Sequence, residues 1–251
     1  MTAMGCQASR ADDPRASSIP PHPSGVIVLA GGRAARLGGA DKPGLVVGTR
    51  TLIGSVVSAG AAAGARRIVV VGPHRAGLAA ESLAGARQET DLRFVREDPP
   101  GGGPVPALRR GLAEIGGRSA AGGPGAAGAR AATGGPWVAV LAADLPFLRA
   151  AHLAALAGAA AGHAGAVLAD DTGHPQWLAG CWRADVLSGA IAGYTGASLR
   201  GLLAPLQPVT VTITPQAGEP PPWLDCDTPE DVRRARDWHA RGGHHPGTAA
   251  G

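Results

Sequence analysis

The amino-acid sequence predicts an α/β protein built on a single doubly wound, mostly parallel sheet with helices on both faces. Two observations predict this class. Runs of β-branched and other apolar residues alternate with alanine-rich segments, and glycine- or proline-rich turns follow several of the runs. A strand that is covered on both faces has a nearly continuous apolar run of this kind. At 251 residues, the chain is long enough for one such domain or for two small ones.

The first part of the chain contains three predicted strands and two predicted helices. The run GVIVLAGG (25–32) ends in two glycines, which is typical of a buried parallel strand that continues into a loop. RRIVVVGP (66–73) has the same character, and LRFVRED (92–98) predicts a third strand. The segments 51–65 and 75–87, between these strands, predict helices.

The middle of the chain combines regular elements with a segment of low complexity. PVPALRRGLAEI (104–115) predicts a helix with proline near its start. Residues 116–136 are almost all Gly, Ala, Pro, Ser, Thr or Arg, which predicts a flexible insert inside the domain. WVAVLAADLPFL (137–148) predicts a fourth buried strand with an aspartate at its end, and 150–161 predicts a helix.

The last part of the chain continues the alternation. The remaining predicted elements are strands at 165–170, 175–183 and 209–213 and short helices at 184–192 and 197–204. Thr228 can cap a final helix, because Pro229 stands in its first turn and acidic residues follow.

The domain boundaries follow from composition. Residues 25–240 are expected to form the folded domain, between a disordered segment, 1–24, and a disordered tail, 241–251. The first segment has no apolar core of a secretory signal, and no apolar run is long enough to span a bilayer. We therefore expect a soluble cytoplasmic protein without a membrane partner.

Charge and cysteine content exclude several classes of protein. The net charge is +4, but the arginines are scattered and no long basic run occurs, so no nucleic-acid partner is expected. The cysteines are Cys6, Cys181 and Cys226, an odd number at wide spacing without a CxxC pair. This pattern argues against a disulfide framework and against a zinc site.

Lys42 is the only lysine in the chain, beside 22 arginines. It lies in GGRAARLGGADKPG, where successive glycines allow backbone N–H groups to approach a phosphate closely. The segment does not contain the GxxxxGK[ST] pattern of a Walker A loop. It also lacks GxGxxG, which argues against a dinucleotide-dependent oxidoreductase. We interpret the loop as a candidate phosphate-binding loop and Lys42 as one of its cations.

Acidic residues follow several predicted strands, at the sheet edge where α/β proteins bind their ligands. Asp98 and Asp144 each stand at a strand end, where Asp144 is placed either to meet a divalent metal or to cap the next helix. Asp225 and Asp227 flank one residue of an extended segment and are expected to point the same way, to share a cation or to serve in turns and caps. A cationic loop beside such acids favours Mg²⁺-assisted phosphoryl or nucleotidyl transfer.

The segment LAGGRAARLGGADK resembles the signature LAGGxSxRMGxDK of the MobA-type nucleotidyltransferases. This family includes molybdenum cofactor guanylyltransferase, its cytidylyltransferase relatives and, more distantly, sugar-nucleotide pyrophosphorylases. Four further segments resemble family motifs in the same order: EDPPGGGPVPALRRGL, VLAADLPFL, GHPQWLAGCWR and DCDTPED. The resemblance covers about residues 25–239 and implies the Rossmann-like nucleotidyltransferase fold.

The resemblance implies a role for each matching residue. The backbone of four residues would hold the base and phosphates of an NTP: Leu29, Ala30, Gly31 and Gly32. Arg36 and Lys42 would bind the phosphates, and Asp98 would contact the nucleotide on its ribose side. Asp144 would hold Mg²⁺, and Asp227 would complete the metal site.

The resemblance also implies a reaction. The phosphate of molybdopterin would attack the α-phosphate of GTP, and pyrophosphate would leave. His174, Gln176 and Trp177 would lie towards this acceptor, although Trp177 fits a core position equally well. Molybdoenzymes or other proteins of cofactor biosynthesis are the protein partners that this reaction implies.

The sequence departs from the family pattern in three places; the first is a mild change, and the other two bear on the substrate. Leu37 replaces the methionine of Arg-Met-Gly, and 72–74 lacks the nucleotide-contacting asparagine of the guanylyltransferases. The closing motif is Asp-Cys-Asp (225–227) rather than Asn-x-Asn. The same chemistry with CTP or with a sugar-phosphate acceptor therefore stays an alternative. A non-catalytic nucleotide-binding regulator on this fold is a second alternative.

Overall fold

The computed structural model describes residues 22–31, 36–37, 40–86, 88–116 and 137–242. Its strands are β1 (Gly25–Leu29), β2 (Arg36–Leu37), β3 (Ala40–Asp41), β4 (Val46–Val47), β5 (Arg50–Thr51), β6 (Arg67–Val71), β7 (Asp91–Val95), β8 (Trp137–Ala142), β9 (Gly165–Ala169), β10 (Pro175–Arg183) and β11 (Val209–Thr212). Its α-helices are α1 (Leu52–Ala62), α2 (Leu78–Leu83), α3 (Pro104–Gly116), α4 (Ala150–Ala159), α5 (Ala184–Gly193), α6 (Leu199–Leu203) and α7 (Pro229–Gly242).

Seven strands form one sheet in the order β11-β9-β10-β8-β1-β6-β7. β1 is central and pairs in parallel with β6 and β8, with Ile27 opposite Val69 on one side and Val140 on the other. β10 runs antiparallel to both of its neighbours, β8 and β9. The predicted mostly parallel α/β sheet is therefore confirmed, with one reversed strand in its interior.

The direction of β10 has a simple physical cause. Only residues 170–174 connect β9 to β10. A parallel connection needs a crossover of a dozen or more residues, whereas a short loop forces a hairpin. The strand itself was predicted at its observed position, but its apolar composition carries no information on direction.

Each face of the sheet is covered by helices, as predicted. Alternate residues of β1 enter different cores: Val26 and Val28 pack with α1 and α4, whereas Ile27 and Leu29 pack with α3, α5 and α6. Because side chains alternate across a strand, the fully apolar run of β1 is needed to fill both cores.

A third apolar cluster attaches α7 to the body of the domain. Val47 and Leu52 pack with Cys226, Val232 and Ala235. The small hairpin of β4 and β5 belongs to this contact, and it was not predicted because two-residue strands show no sequence periodicity. The cluster fixes the segment immediately before α7 next to the turn that follows β3.

The start of α7 is defined by a reciprocal cap. The Thr228 N–H donates to Asp231 Oδ2 at 2.9 Å, and the Asp231 N–H donates to Thr228 Oγ1 at 3.1 Å. This confirms Thr228 as the cap and satisfies two backbone donors at the helix N-terminus. The helix continues to Gly242, so the first two residues of the expected tail are helical.

The expected unstructured segments fall mostly outside the described residues. This holds for 1–21, for 117–136 within the expected insert, and for 243–251 in the expected tail. Ser24, at the end of the expected N-terminal segment, belongs to the fold, since its N–H donates to the Trp137 carbonyl at 2.9 Å. In the part of the chain that the structure describes, no helix is long and apolar enough to cross a membrane.

Candidate active site

A cleft of about 680 Å³ opens at the carboxyl ends of the central strands, where the topology predicts a ligand site. Its walls are the loops after β1, β7 and β8, the first half of β10 and the segment before α7. The charged side chains that line it are Lys42, Glu97, Asp144, Asp225 and Asp227. Four carboxylates therefore face one lysine across this cleft.

Lys42 lies at the centre of these charges and is only 3% exposed. It begins a short 3-10 turn, Lys42–Gly44, in which Pro43 is also buried. Its ammonium forms ion pairs with Asp144 Oδ2 and with Asp227 Oδ1. Burial alone would lower the pKa of Lys42, but the two carboxylates outweigh it and the pKa of Lys42 is raised. The lysine therefore remains charged in the buried end of the cleft.

Asp144 lies after β8, separated from it by one residue, and one of its carboxylate oxygens has no hydrogen-bond partner among the described residues. Its side chain is 17% exposed, and Oδ2 bonds to Lys42. Oδ1 is buried and has no hydrogen-bond partner among the described residues. A buried carboxylate oxygen without a partner is costly, so the position favours a bound cation or donor. Asp144 does not cap the next helix, because the residue preceding α4 is Arg149.

Asp225 and Asp227 approach the cleft from the segment before α7. Both line it, as predicted, while Cys226 between them is fully buried on the opposite side. Partial burial, reinforced by the negative charges of Asp227 and Asp144, raises the pKa of Asp225 to about 6. The closing motif thus contributes two carboxylates to the site and one apolar anchor to the core.

Asp41, directly before Lys42, pairs with Arg75 in the turn that follows β6. Both terminal nitrogens of the Arg75 guanidinium donate to the carboxylate of Asp41, with Nη2 to Oδ1 at 2.6 Å. The hydrogen bonds from Arg75 lower the pKa of Asp41. Sequence analysis missed this pair: the Asp-Lys dipeptide marks Asp41, but nothing local identifies Arg75 as its partner.

The acidic pair after β7 is placed differently from expectation. Glu97 is 9% exposed and lines the cleft, and its Oε1 accepts a hydrogen bond from the Gly101 N–H at 3.1 Å. Asp98 is exposed and does not line the cleft. The predicted contact of Asp98 with a nucleotide stays a prediction, and Glu97 is a cleft residue that sequence analysis missed although it belongs to the same motif.

The glycine loop after β1 is described in part. Leu29, Ala30 and Gly31 line the cleft, and their predicted contact with an NTP stays a prediction. Gly32 and the side chain of Arg36 lie outside the described residues, so their predicted roles stay predictions.

Gly72 begins the stretch, 72–74, in which the guanylyltransferase asparagine is missing. A Cβ atom on Gly72 would lie 3.0 Å from the carbonyl carbon and oxygen of Ala30. Any side chain at this position would push on the backbone of the glycine loop. The close approach of the Ala30 backbone therefore favours glycine at this position.

The residues expected near an acceptor separate into two groups. Gln176 and Trp177 line the cleft together with Trp223. His174 does not line it; its N–H donates to Asp170 Oδ1 at 2.9 Å in the turn between β9 and β10. Trp177 also packs against the core beneath the sheet, so both expected roles of this residue are compatible with its position.

The carboxylates of the cleft fit a hard divalent cation that takes only some of its ligands from the protein. Within the described ranges, no group of three or more His, Cys, Asp or Glu side chains could hold a metal. Asp144 and Asp227 would supply two ligands, and the unpartnered Oδ1 of Asp144 is available for one of them. Mg²⁺ binds in this way, through one or two carboxylates with water and substrate phosphates as the other ligands.

The fold and this site define a nucleotidyltransferase. The chain belongs to the family of the MobA-like NTP transferase domain, whose sequence profile matches residues 26–209. None of the curated proteins is similar enough in sequence to be a match.

Solved structures of low sequence identity share the fold. A nucleotidyl transferase from Methanothermobacter thermautotrophicus is 24% identical, with a TM-score of 0.58 over 87% of this chain and 98% of its own. Molybdopterin-guanine dinucleotide biosynthesis protein A from Archaeoglobus fulgidus is 21% identical, with a TM-score of 0.53 over 86% and 99%. A 4-diphosphocytidyl-2C-methyl-D-erythritol synthase from Anaerococcus prevotii is 12% identical, with a TM-score of 0.55 over 86% and 96%.

Proposed function

We propose that the protein catalyses the Mg²⁺-dependent transfer of a nucleoside monophosphate from GTP to the phosphate of molybdopterin, with release of pyrophosphate. The observation that carries the transfer chemistry is the arrangement of Lys42 between Asp144 and Asp227, with Asp144 Oδ1 left unpartnered. This arrangement provides a fixed cation and a place for a second one beside the glycine loop. A triphosphate needs such neutralisation before its α-phosphorus can be attacked.

Lys42 would orient and neutralise the phosphates. Its ammonium has three donors, of which Asp144 and Asp227 take two, so one is available for a phosphate oxygen. Mg²⁺, held by the same two carboxylates, would stabilise the charge that develops on the leaving pyrophosphate. Lys42 is buried and charged before any substrate binds. Its ammonium therefore does not have to move or lose bound water when the triphosphate reacts.

The lining of the cleft favours direct transfer over a covalent enzyme intermediate. No Ser, Thr, Cys, His or Tyr is found among the described residues that line it. Against the effect of burial, Asp144 and Asp227 raise the pKa of Lys42, so this lysine stays protonated and is not available as a nucleophile. The bond from the acceptor phosphate oxygen to the α-phosphorus would form as the bond to pyrophosphate breaks. The protein therefore contributes positioning and charge rather than a nucleophile.

The aromatic and amide residues of the cleft support a flat, polar acceptor. Trp177 and Trp223 contribute aromatic side chains to its lining, and Gln176 adds an amide that can both donate and accept hydrogen bonds. A pterin ring combines aromatic faces with donor and acceptor edges, so it suits this lining. A simple sugar phosphate would use the amide but leave the aromatic surface without a partner.

Two alternatives are kept because particular residues favour them. Gly72 in place of asparagine and the Asp-Cys-Asp motif (225–227) favour transfer from CTP, or transfer to another acceptor. A nucleotide-binding regulator without turnover would use the same cleft. The intact set of Lys42, Asp144 and Asp227 supports an enzyme over a regulator.

The test is a pyrophosphate-release assay with Mg²⁺ and each of GTP, CTP, ATP and UTP, with molybdopterin or a sugar phosphate as acceptor. The proposal expects release only when molybdopterin is present, and the fastest release with GTP. Release that requires a sugar phosphate, or that is fastest with CTP, would select the first alternative. Nucleotide binding without release with any acceptor would select the regulator.

A further inference from the structure

Glu97 is a buried carboxylate that lines the cleft and has no counter-charge among the residues that the structure describes. It is 9% exposed, and its hydrogen bond among the described residues comes from the Gly101 N–H at 3.1 Å. No ion pair of the described residues includes it, and Lys42 is occupied by Asp144 and Asp227. Such a group is costly to bury unless a ligand supplies further donors. The transfer chemistry described above does not use it.

The oxygens of Glu97 lie directly beside the glycine loop. A Cβ atom placed on Gly31 would be 3.3 Å from Oε1 and 3.4 Å from Oε2. Both oxygens therefore face the surface of Gly31, which carries no side chain. A carboxylate has about four acceptor positions, and the Gly101 N–H fills one of them.

We propose that Glu97 selects the nucleobase by accepting two parallel hydrogen bonds, from the N1–H and the 2-amino group of guanine. This assignment deepens the proposed nucleotidyl transfer and rests on it, since it concerns the nucleotide end of the same cleft. Lys42 and Asp144 are assigned to the phosphates, whereas Glu97 lines the same cleft beside Gly31 and carries no role in that assignment.

Among the common bases, guanine alone offers two adjacent donors to a carboxylate. Cytosine and adenine present one amino group next to a ring nitrogen whose lone pair would face the second oxygen. Uracil presents a single N–H between two carbonyl groups, which would repel a carboxylate. A charged acceptor with two open oxygens therefore discriminates for guanine and against the other three.

Two other positions that could select the base, Gly72 and Asp98, are less suited to this role than Glu97. Gly72 carries no side chain, and a Cβ atom there would lie 3.0 Å from the Ala30 carbonyl, a contact that requires the Ala30 backbone to shift slightly. Asp98 is exposed and outside the lining of the cleft. Among the described residues that line the cleft, Glu97 is the buried acid, and the transfer chemistry leaves it unused.

The first test compares nucleotides on the unmodified protein. Calorimetric titrations with Mg²⁺ and no acceptor would measure the dissociation constants of GTP, ITP, ATP, CTP and UTP. ITP differs from GTP only in lacking the 2-amino group. ITP would therefore lack one hydrogen bond to the Glu97 carboxylate. We expect this loss to make the binding of ITP about tenfold to a hundredfold weaker than the binding of GTP. ATP, CTP and UTP should bind more weakly still.

The second test uses Glu97→Gln, with Glu89→Gln as a matched control. Glu89 is exposed and does not line the cleft, so its variant should keep the nucleotide affinities of the parent. Glu97→Gln should bind GTP and ITP with nearly equal dissociation constants. Its melting temperature should equal or exceed that of the parent, because a buried charge without a counter-charge has been removed.

Three outcomes would overturn the assignment. Equal affinity of the unmodified protein for GTP and ITP would remove the 2-amino contact while leaving nucleotidyl transfer intact. Retained discrimination in Glu97→Gln, or its loss in Asp98→Asn instead, would assign the selection to another residue. Absence of binding for every nucleotide would overturn both this assignment and the proposed function.

Discussion

The ammonium of Lys42 forms an ion pair with Asp227, which lies 185 positions further along the chain. The lysine follows the glycine loop of the first strand, whereas the aspartate immediately precedes the cap of the last helix. Asp144 joins the same ammonium from the centre of the sheet. Three segments that are remote in sequence thus meet at one buried positive charge, and the predictions below test what that charge does.

Lys42→Arg is expected to lower kcat about a hundredfold, although the charge is kept. Lys42 is only 3% exposed. A planar guanidinium is larger than an ammonium and does not fit in the same buried position between Asp144 and Asp227. Steady-state pyrophosphate release would measure the effect. Arg50→Lys, an equally conservative change at an exposed residue outside the cleft, is the control. A kcat close to that of the parent would contradict the phosphate-positioning role of Lys42.

Asp144→Asn is expected to reduce turnover by roughly 10²- to 10³-fold, because it removes a charge that the metal and Lys42 both need. The variant should fold, since its amide oxygen can still accept from Lys42. Addition of Mg²⁺ should raise the melting temperature of the parent more than that of the variant. Asp171→Asn, at an exposed position outside the cleft, should behave as the parent in both measurements. An unchanged response to Mg²⁺ would remove Asp144 from the metal site.

Gly72→Asn, which restores the asparagine of the guanylyltransferases, is expected to impair the protein. The added side chain would meet the Ala30 backbone at 3.0 Å from its Cβ atom, so the glycine loop must move. We expect a loss of about 1–3 kcal/mol in the free energy of unfolding and no gain in GTP affinity. Gly189→Asn is the control, because a Cβ atom there meets nothing within 4 Å. Tighter GTP binding by Gly72→Asn would show that the loop adapts at little cost.

Cys181 and Cys226 are expected to be unreactive in the folded protein. Both side chains are fully buried, and burial raises the pKa of each thiol to about 12. At pH 8 roughly one thiol in 10⁴ would be ionised at such a pKa, and reagents cannot reach it. A Cys6→Ser variant should therefore release no chromophore from a disulfide reagent until denaturant is added. Reaction of either thiol before unfolding would indicate that the core around it opens.

The fold could be predicted because strand and helix periodicity is local, but the site could be predicted only in part. Apolar runs such as 25–32 locate strands without reference to the rest of the chain. The direction of β10 depended instead on the length of the link before it. The pairing of Asp41 with Arg75 and the unequal burial of Glu97 and Asp98 depend on tertiary packing, which one motif cannot specify.

The third apolar cluster makes α7 part of the support of the candidate active site. The family profile ends at residue 209, yet Asp227 is positioned by α7, which Cys226 and Val232 hold against the hairpin of β4 and β5. Loss of α7 would leave the seven-stranded sheet intact while depriving Lys42 of one of its two counter-ions. We expect a chain that lacks α7 to lose the placement of Asp227 and, with it, the proposed nucleotidyl transfer.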